Sequence, residues 1–210
     1  MEPTPHGAPP PALGTSADQN PLAAPGLPPA AGAESSFHAE STGFDALPEL
    51  TAELVSIYIS SGHDYWGRQG EGRFQSGISR VDEVECVAGK GLRGDRYFGY
   101  RPDFKGQVTF FDATVVAAVR ENFKLPKLPA SVFRRNLLVQ APDLDLSQWL
   151  GKRFRFQGIE FEGSQECKPC YWMDRVVAPG TENFLSPSFR GGLRARILTD
   201  GILRATGRGN

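Results

Sequence analysis

Apolar and polar residues follow each other along this chain mostly in short runs of the kind that form β-strands. Residues 54–60 are rich in β-branched and aromatic side chains and predict the first strand. Residues 80–87 partly alternate and predict the second strand, in which Val84 and Cys86 lie on the more apolar face. Residues 107–111 predict a further strand.

One helix and two hairpins complete the pattern. Asp112 or Thr114 can cap a helix that runs to about residue 123. Residues 153–162 alternate on both sides of a Gln-Gly pair and predict a hairpin. Residues 190–203 predict a final hairpin near the C-terminus.

These elements together predict a mainly β fold, a β-barrel with a few short helices. Many short strands, two modest helices and no alternation of strands with helices favour an antiparallel barrel. We expect this domain to span residues 47–206. Residues 1–46 are rich in Pro, Ala and Gly and cannot bury enough apolar surface to offset the entropy of ordering them. We therefore expect a disordered N-terminal tail.

Charge is divided unevenly between these two parts. The predicted tail has five acidic residues and no Lys or Arg, whereas the rest of the chain has 23 basic against 19 acidic residues. This small basic excess is weak for a nucleic-acid partner, and no apolar run approaches the ~20 residues that a membrane span requires. Three cysteines and the lack of a signal-peptide pattern favour a reducing, cytoplasmic location.

Basic residues cluster with glycines in residues 89–99. This segment contains Lys90, Arg93, Asp95 and Arg96 together with four glycines. Closely spaced glycines let backbone amides approach a ligand, and the basic side chains supply positive charge. The segment therefore suits a small anionic ligand, although a tight connection between strands is the more ordinary explanation when the glycines are taken alone.

Two further segments have the same basic character. Arg134 and Asn136 lead into an apolar run that predicts a strand, and Gly192 and Arg194 belong to an Arg-Gly-Gly segment near the C-terminus. Arginine is suited to bidentate contacts with phosphate or carboxylate groups. A solvated strand start remains an equal explanation for the first of these segments.

Cys167 and Cys170 follow the predicted central hairpin in an irregular, polar segment, where reactive or metal-binding thiols are often found. Four interpretations are open. The pair could be half of a zinc site that Cys86 and His63 complete, or a dithiol redox pair. Both could be inert packed cysteines, or one thiolate could bind a metal held by a cofactor or carry sulfur.

The basic and cysteine-containing segments, in this order, resemble the MOSC domain, which is found at the C-terminus of molybdenum cofactor sulfurases. The resemblance rests on GKGLRGDRYF at residues 89–98, FRRNL at residues 133–137, ECKPC at residues 166–170 and RGGLRA at residues 190–195. It covers about residues 50–206 and fits a small stand-alone bacterial member of the family.

The resemblance implies a β-rich barrel that binds molybdenum cofactor, an anionic pterin also called molybdopterin, or that carries sulfur on a cysteine. The characteristic cysteine of the family matches Cys170, which is thereby implied as metal ligand and catalytic residue. The family pattern does not require Cys167. The residues implied in cofactor binding are Lys90, Arg93, Asp95, Arg96, Arg134, Asn136, Gly192 and Arg194.

Two functions follow from the resemblance. The first is a molybdoenzyme that reduces N-hydroxylated or N-oxide compounds with electrons from a separate donor protein, with His63 or Asp64 as proton donor. The second is a sulfur carrier in which Cys170 accepts a persulfide from a cysteine desulfurase. The resemblance does not extend to a pyridoxal phosphate-binding sulfurase domain or to the barrel extension of amidoxime-reducing relatives. We therefore expect any sulfur to come from a partner.

Overall fold

The computed structural model describes residues 46–64 and 76–207. The predicted tail lies outside this part of the chain except for its last residue. The described part contains ten β-strands, three α-helices and two 3-10 helices, so the prediction of a mainly β fold with short helices is confirmed. None of these helices is long and apolar enough to cross a membrane.

The strands are short and most of the helices are shorter than two turns. The ten strands are β1 Glu53–Ile59, β2 Ser79–Val81, β3 Glu83–Val87, β4 Gly91–Leu92, β5 Val108–Asp112, β6 Leu137–Gln140, β7 Arg153–Phe156, β8 Ile159–Glu166, β9 Leu193–Ile197 and β10 Gly201–Arg204. The helices are α1 Ala113–Asn122, α2 Trp172–Val176 and α3 Thr181–Leu185, and the 3-10 helices are Ala130–Phe133 and Leu146–Trp149.

The strands form two sheets. The larger has seven strands in the order β2-β1-β6-β5-β9-β8-β7, and the smaller has three in the order β10-β3-β4. The amide of Leu50 donates a hydrogen bond of 2.8 Å to the carbonyl of Arg155, which ties the segment before β1 to the opposite edge strand β7. The sheets are nevertheless not closed into a barrel within the described residues, so that detail of the prediction is wrong.

A crossover helix joins β5 to β6, which is the parallel pair of the large sheet. The carboxylate of Asp112 accepts a hydrogen bond of 2.8 Å from the amide of Thr114 and starts α1, as predicted. Val116 and Val119 are the buried residues of this helix. Parallel strands need such a crossover, and the expectation of no strand–helix alternation is wrong at this point.

Two predicted elements are divided between the sheets. Residues 80–87 form β2, which pairs with β1, and β3, which pairs with β10. The predicted final hairpin is wrong, because β9 pairs with β5 and β8 whereas β10 pairs with β3. Val84 and Cys86 are buried as the alternation predicts, with exposed fractions of 5% and 0%.

The predicted central hairpin is confirmed and supplies much of the core. Gln157 and Gly158, at the turn between β7 and β8, both have positive φ, as a tight hairpin turn requires. Phe154, Phe156 and Phe161 of this hairpin surround Phe110 of β5 edge-on, with ring centroids 5.3 to 5.6 Å apart. This cluster holds β8, and therefore the cysteine segment that follows it, against the centre of the large sheet.

Candidate functional site

Separate segments of the chain meet around one cavity of about 190 Å³. The segment after β8 contributes Cys167 and Cys170, and β9 contributes Arg194. Arg134 follows the 3-10 helix at Ala130–Phe133, and Arg96 belongs to the loop between β4 and β5. The structure thus brings one predicted cysteine and three predicted arginines to a single cavity.

The two cysteines of this cavity differ in exposure. Cys170 is exposed, whereas Cys167 is buried with an exposed fraction of 4%. The backbone of Cys167 is held on both sides, because its amide donates to the carbonyl of Gly192 at 2.7 Å and its carbonyl accepts from Nη2 of Arg135 at 3.3 Å. Cys170 is therefore open to other molecules, and Cys167 is fixed in the wall.

Two glycines immediately before β9 allow the backbone of Cys167 to pack this closely against the wall. A Cβ atom on Gly191 would overlap the carbonyl oxygen of Cys167, and one on Gly192 would overlap that of Phe110. Gly192 also has a φ of +95°, which favours glycine. The described lining of the cavity does not include Gly192, so the structure gives it a packing role behind the wall.

Arg194 contacts the buried sulfur directly. Its Nε atom donates a hydrogen bond to Sγ of Cys167 at 3.4 Å. Burial alone would lower the pKa of Arg194, but Cys167, Tyr97 and Cys170 together raise it above its ordinary value. Arg194 is therefore a permanent cation in contact with Cys167 in the cavity that Cys170 also lines.

Arg134 is buried in an ion pair. One of its Nη atoms lies 2.7 Å from Oδ2 of Asp64, and the two side chains are only 8% and 2% exposed. Its other Nη atom donates to Oγ of Ser60 at 2.9 Å and to the carbonyl of Gly62 at 2.7 Å. Arg134 thus lines the cavity and at the same time holds the segment that follows β1.

Arg96 and Asp95 form a second ion pair at the cavity wall, with Nη1 and Oδ2 3.4 Å apart. The guanidinium of Arg96 also lies over the ring of Tyr97, 4.7 Å from its centroid. Asp95 is buried, and its carboxylate accepts hydrogen bonds from the amides of Ser60 at 3.2 Å and Tyr97 at 3.1 Å. Asp95 therefore orients Arg96 and fixes the loop that carries it.

Asn136 is buried behind the wall rather than in its described lining. Its Oδ1 atom accepts from the amide and the hydroxyl of Thr109 at 3.1 and 3.0 Å. Its Nδ2 atom donates to the carbonyl of Tyr58 at 3.1 Å and to Oδ2 of Asp95 at 3.2 Å. One amide side chain thus ties β1, β5 and the loop of Arg96 together, which is a supporting role.

Lys90 and Arg93 are not part of the cavity lining that the structure describes. Lys90 is exposed in the turn between β3 and β4. Arg93 is exposed and forms a bidentate pair with Glu85, whose pKa the hydrogen bonds from Arg93 lower. The predicted role of both residues in cofactor binding is untested, and their positions give it no support.

Several residues of the wall are not among those that the sequence indicated. Arg135, Tyr97 and Phe104 line the cavity. Tyr97 packs against Phe104 with ring centroids 4.9 Å apart and against His63 at 5.0 Å. The adjacent Arg-Arg pair and the aromatic residue beside Arg96 were visible in the sequence, but only the folded chain shows that they share a wall with the thiols.

The zinc interpretation is not supported by the described residues. Cys86 does not line the cavity but is fully buried on β3, where burial, with a further contribution from Glu85, raises its pKa to about 12. In the part of the chain that the structure describes, no three His, Cys, Asp or Glu side chains are grouped to hold a metal ion. Cys86 and His63 do not complete a four-ligand site with the cysteine pair.

The fold and this cavity agree with a comparison with known families. The model of the MOSC domain matches residues 93–207, and this chain belongs to the MOSC domain family. The family in general binds molybdenum cofactor. The earlier resemblance is thus confirmed for the family and for the mainly β fold. Among curated proteins, none matches the sequence.

Solved structures share the fold at low sequence identity. The YuaD protein of Bacillus subtilis is 16% identical with a TM-score of 0.53, over 73% of this chain and 91% of that one. YiiM of Escherichia coli is 19% identical with a TM-score of 0.52, over 74% of this chain and 67% of that one. A hypothetical protein is 17% identical with a TM-score of 0.52, over 73% of this chain but only 65% of its own length.

Proposed function

We propose that this chain binds molybdenum cofactor in the cavity and that Cys170 is the metal ligand. The observation that carries the proposal is the meeting of an exposed thiol with four arginines from three separate segments around one cavity. A thiolate is a suitable ligand for a soft transition-metal centre, and guanidinium groups are suited to a phosphate. The residues present therefore fit a metal-bearing, anionic guest.

Different side chains of the cavity wall would contact different parts of the cofactor. Arg194 offers positive charge to its anionic part, whereas the charges of Arg134 and Arg96 are balanced by Asp64 and Asp95. Tyr97 and Phe104 provide an aromatic wall against which a planar group can pack. When bound, the cofactor supplies the two-electron chemistry, and the protein supplies binding and orientation.

His63 lies at the same cavity and suits proton uptake better than proton release. Burial, then the charges of Arg96 and Arg134, lower its pKa below the ordinary value, and the carboxylate of Asp95 only partly opposes them. These influences favour the neutral form of His63. The carboxylate of Asp64 is paired with Arg134, with Oδ2 and Nη1 2.7 Å apart.

For the reaction we propose the two-electron reduction of a planar N-hydroxylated or N-oxide compound, with a separate protein as electron donor. The support is the family assignment together with the exposed thiol and the aromatic wall. In this arrangement Cys170 would hold the metal, and Tyr97 and Phe104 would pack against a planar group bound beside it.

The test is cofactor content rather than turnover. The protein is purified from cells that supply molybdenum cofactor, and molybdenum and pterin are measured per chain. We expect about one of each in the wild type and loss of molybdenum in Cys170→Ser, whereas the surface variant Arg93→Ala serves as a matched control and keeps both. Wild-type protein without molybdenum and pterin would contradict the proposal.

A second candidate function, the sulfur carrier, is favoured by one specific observation. A second thiol, that of Cys167, lies in the same cavity and receives a hydrogen bond from Arg194. A metal site with one thiolate ligand does not require this second sulfur.

Incubation with a cysteine desulfurase, cysteine and pyridoxal phosphate tests the sulfur-carrier function. The expected product in Cys167→Ser, which lacks the second thiol, has one additional sulfur on Cys170, and an unchanged mass of this variant would reject the function.

A further inference from the structure

We propose that Cys167 is the resolving thiol of this cavity and releases sulfur that Cys170 has accepted. In this step the thiolate of Cys167 attacks the inner sulfur of a Cys170 persulfide, hydrosulfide leaves, and an intramolecular disulfide remains. The proposal rests on the second candidate function, in which Cys170 carries sulfur. It assigns a role to Cys167, which the family pattern leaves without one.

The positions of the two cysteines suit different roles, with Cys170 as the thiol that accepts sulfur and Cys167 as the thiol that attacks it. Cys170 is exposed, so a partner protein or a small sulfur donor can reach it. Cys167 is only 4% exposed, so an external donor is shielded from it, while a group already on Cys170 shares its cavity. The two residues are three positions apart in the chain, a spacing that is common in thiol pairs that exchange a disulfide.

The backbone around Cys167 keeps its sulfur in place for such an attack. Hydrogen bonds from Arg135 and to Gly192 hold its peptide groups, and the absence of side chains at Gly191 and Gly192 allows this close packing. A fixed nucleophile loses little freedom when it reacts with a neighbour in the same cavity. Cys170, in the segment between β8 and α2, is the member of the pair that meets solvent.

Arg194 supplies the charge that this step requires. Its Nε atom is 3.4 Å from Sγ of Cys167, so a thiolate there has a cation in contact with it. Arg194 and Cys170 line the same cavity, from which the hydrosulfide departs. One guanidinium can thus stabilise both the attacking and the departing sulfur. An inert packed cysteine, as at Cys86, has only burial and an acidic neighbour as influences on its pKa.

The step is balanced without an external oxidant. The bond between the inner and outer sulfur of the persulfide breaks, and a bond between the sulfurs of Cys167 and Cys170 forms. The outer sulfur gains two electrons and leaves as hydrosulfide, while the two cysteine sulfurs become a disulfide. A small thiol of the glutathione class then reduces this disulfide, and two molecules of that thiol become one disulfide.

The experiment uses the full chain and inorganic polysulfide as the sulfur donor. After excess donor is removed, intact mass is measured without reductant and released sulfide is determined. We expect the wild type to release about one hydrosulfide per modified chain and to end with a disulfide between Cys167 and Cys170. Cys167→Ser should retain the additional sulfur on Cys170, and Cys170→Ser should give neither product.

Further variants separate reactivity from folding. Cys167→Ala repeats the test in case the serine hydroxyl disturbs the wall, and thermal unfolding shows that each variant is folded. Arg194→Gln should slow sulfide release by about tenfold, the value of one charge-assisted hydrogen bond, and Arg194→Lys should restore part of the rate.

Two results would overturn the proposal. The first is a wild-type persulfide that persists as long as that of Cys167→Ser, and the second is a Cys170 that takes no sulfur from polysulfide in any variant. Failure of the desulfurase to load Cys170 while polysulfide succeeds would instead reject the carrier function alone. The reactivity of Cys167 would then stand.

Discussion

The three-stranded sheet and the cavity each contain a buried cysteine and an arginine–carboxylate pair, but they combine them in opposite ways. In the sheet, Cys86 is buried on β3, and Arg93 pairs with Glu85 in solvent. In the cavity, the pair of Arg134 and Asp64 is itself buried. The same residue types thus serve packing in one region and build a charged pocket in the other.

The contrast shows that burial alone does not determine what a thiol can do. Cys86 and Cys167 are both buried, with exposed fractions of 0% and 4%. Burial and then Glu85 raise the pKa of Cys86 to about 12, whereas Cys167 has the guanidinium of Arg194 on its sulfur. The two buried cysteines therefore differ in the charge beside them, which is an acidic side chain at Cys86 and a guanidinium at Cys167.

The largest expected difference between the two regions is thiol reactivity. Because only the thiolate reacts, a pKa of about 12 should slow alkylation of Cys86 more than about a thousandfold relative to an ordinary exposed thiol. Timed iodoacetamide labelling at pH 7.5 or so, followed by peptide mass mapping, measures this. We expect early label on Cys170 and label on Cys86 only after unfolding. Rapid labelling of Cys86 in the folded protein would contradict the predicted difference in thiol reactivity between the two regions.

The next largest difference concerns stability. Arg134→Ala removes the cation of a buried pair and should lower the free energy of unfolding by about 3 kcal/mol. Arg93→Ala removes the cation of an exposed pair and should leave the urea midpoint unchanged within error. Urea unfolding followed by tryptophan fluorescence compares the two. Equal losses in both variants would show that burial of the first pair has no energetic consequence.

A smaller effect is expected in cofactor retention. Arg194→Gln removes a cation from the wall beside both cysteines and should lower the affinity for the cofactor about tenfold. The molybdenum content of protein dialysed at a series of concentrations measures this. Arg93→Gln is the matched control, because Arg93 is outside the described lining. A reduction of the same size in both variants would count against a local role for Arg194.

The smallest expected effect is a pH dependence at His63. Its folded pKa is below the unfolded value of about 6.5, so the unfolded chain binds a proton more readily. Stability from this group is therefore full above pH of about 6.5 and is lost as pH falls through the lower, folded pKa. NMR titration, with His63→Asn to assign the resonance, should show a depressed pKa. A value above the ordinary one would reverse the predicted sign.

Local patterns in the sequence predicted elements that depend on neighbouring residues. The hairpin at residues 153–162 follows from alternation and a Gln-Gly turn, and the start of α1 from the side chain of Asp112. The motifs also indicated that Cys170, Arg96, Arg134 and Arg194 belong together. Their spacing could not show that they share one cavity.

Only the tertiary structure decided which strands pair and which charges neutralise each other. The division of residues 80–87 between two sheets and the separation of β9 from β10 depend on partners far along the chain. The same holds for the buried support of Asp95 by Asn136 and for the contact of Arg194 with Cys167. Strand propensity and turn chemistry act over a few residues, whereas pairing, burial and charge compensation arise when distant segments meet.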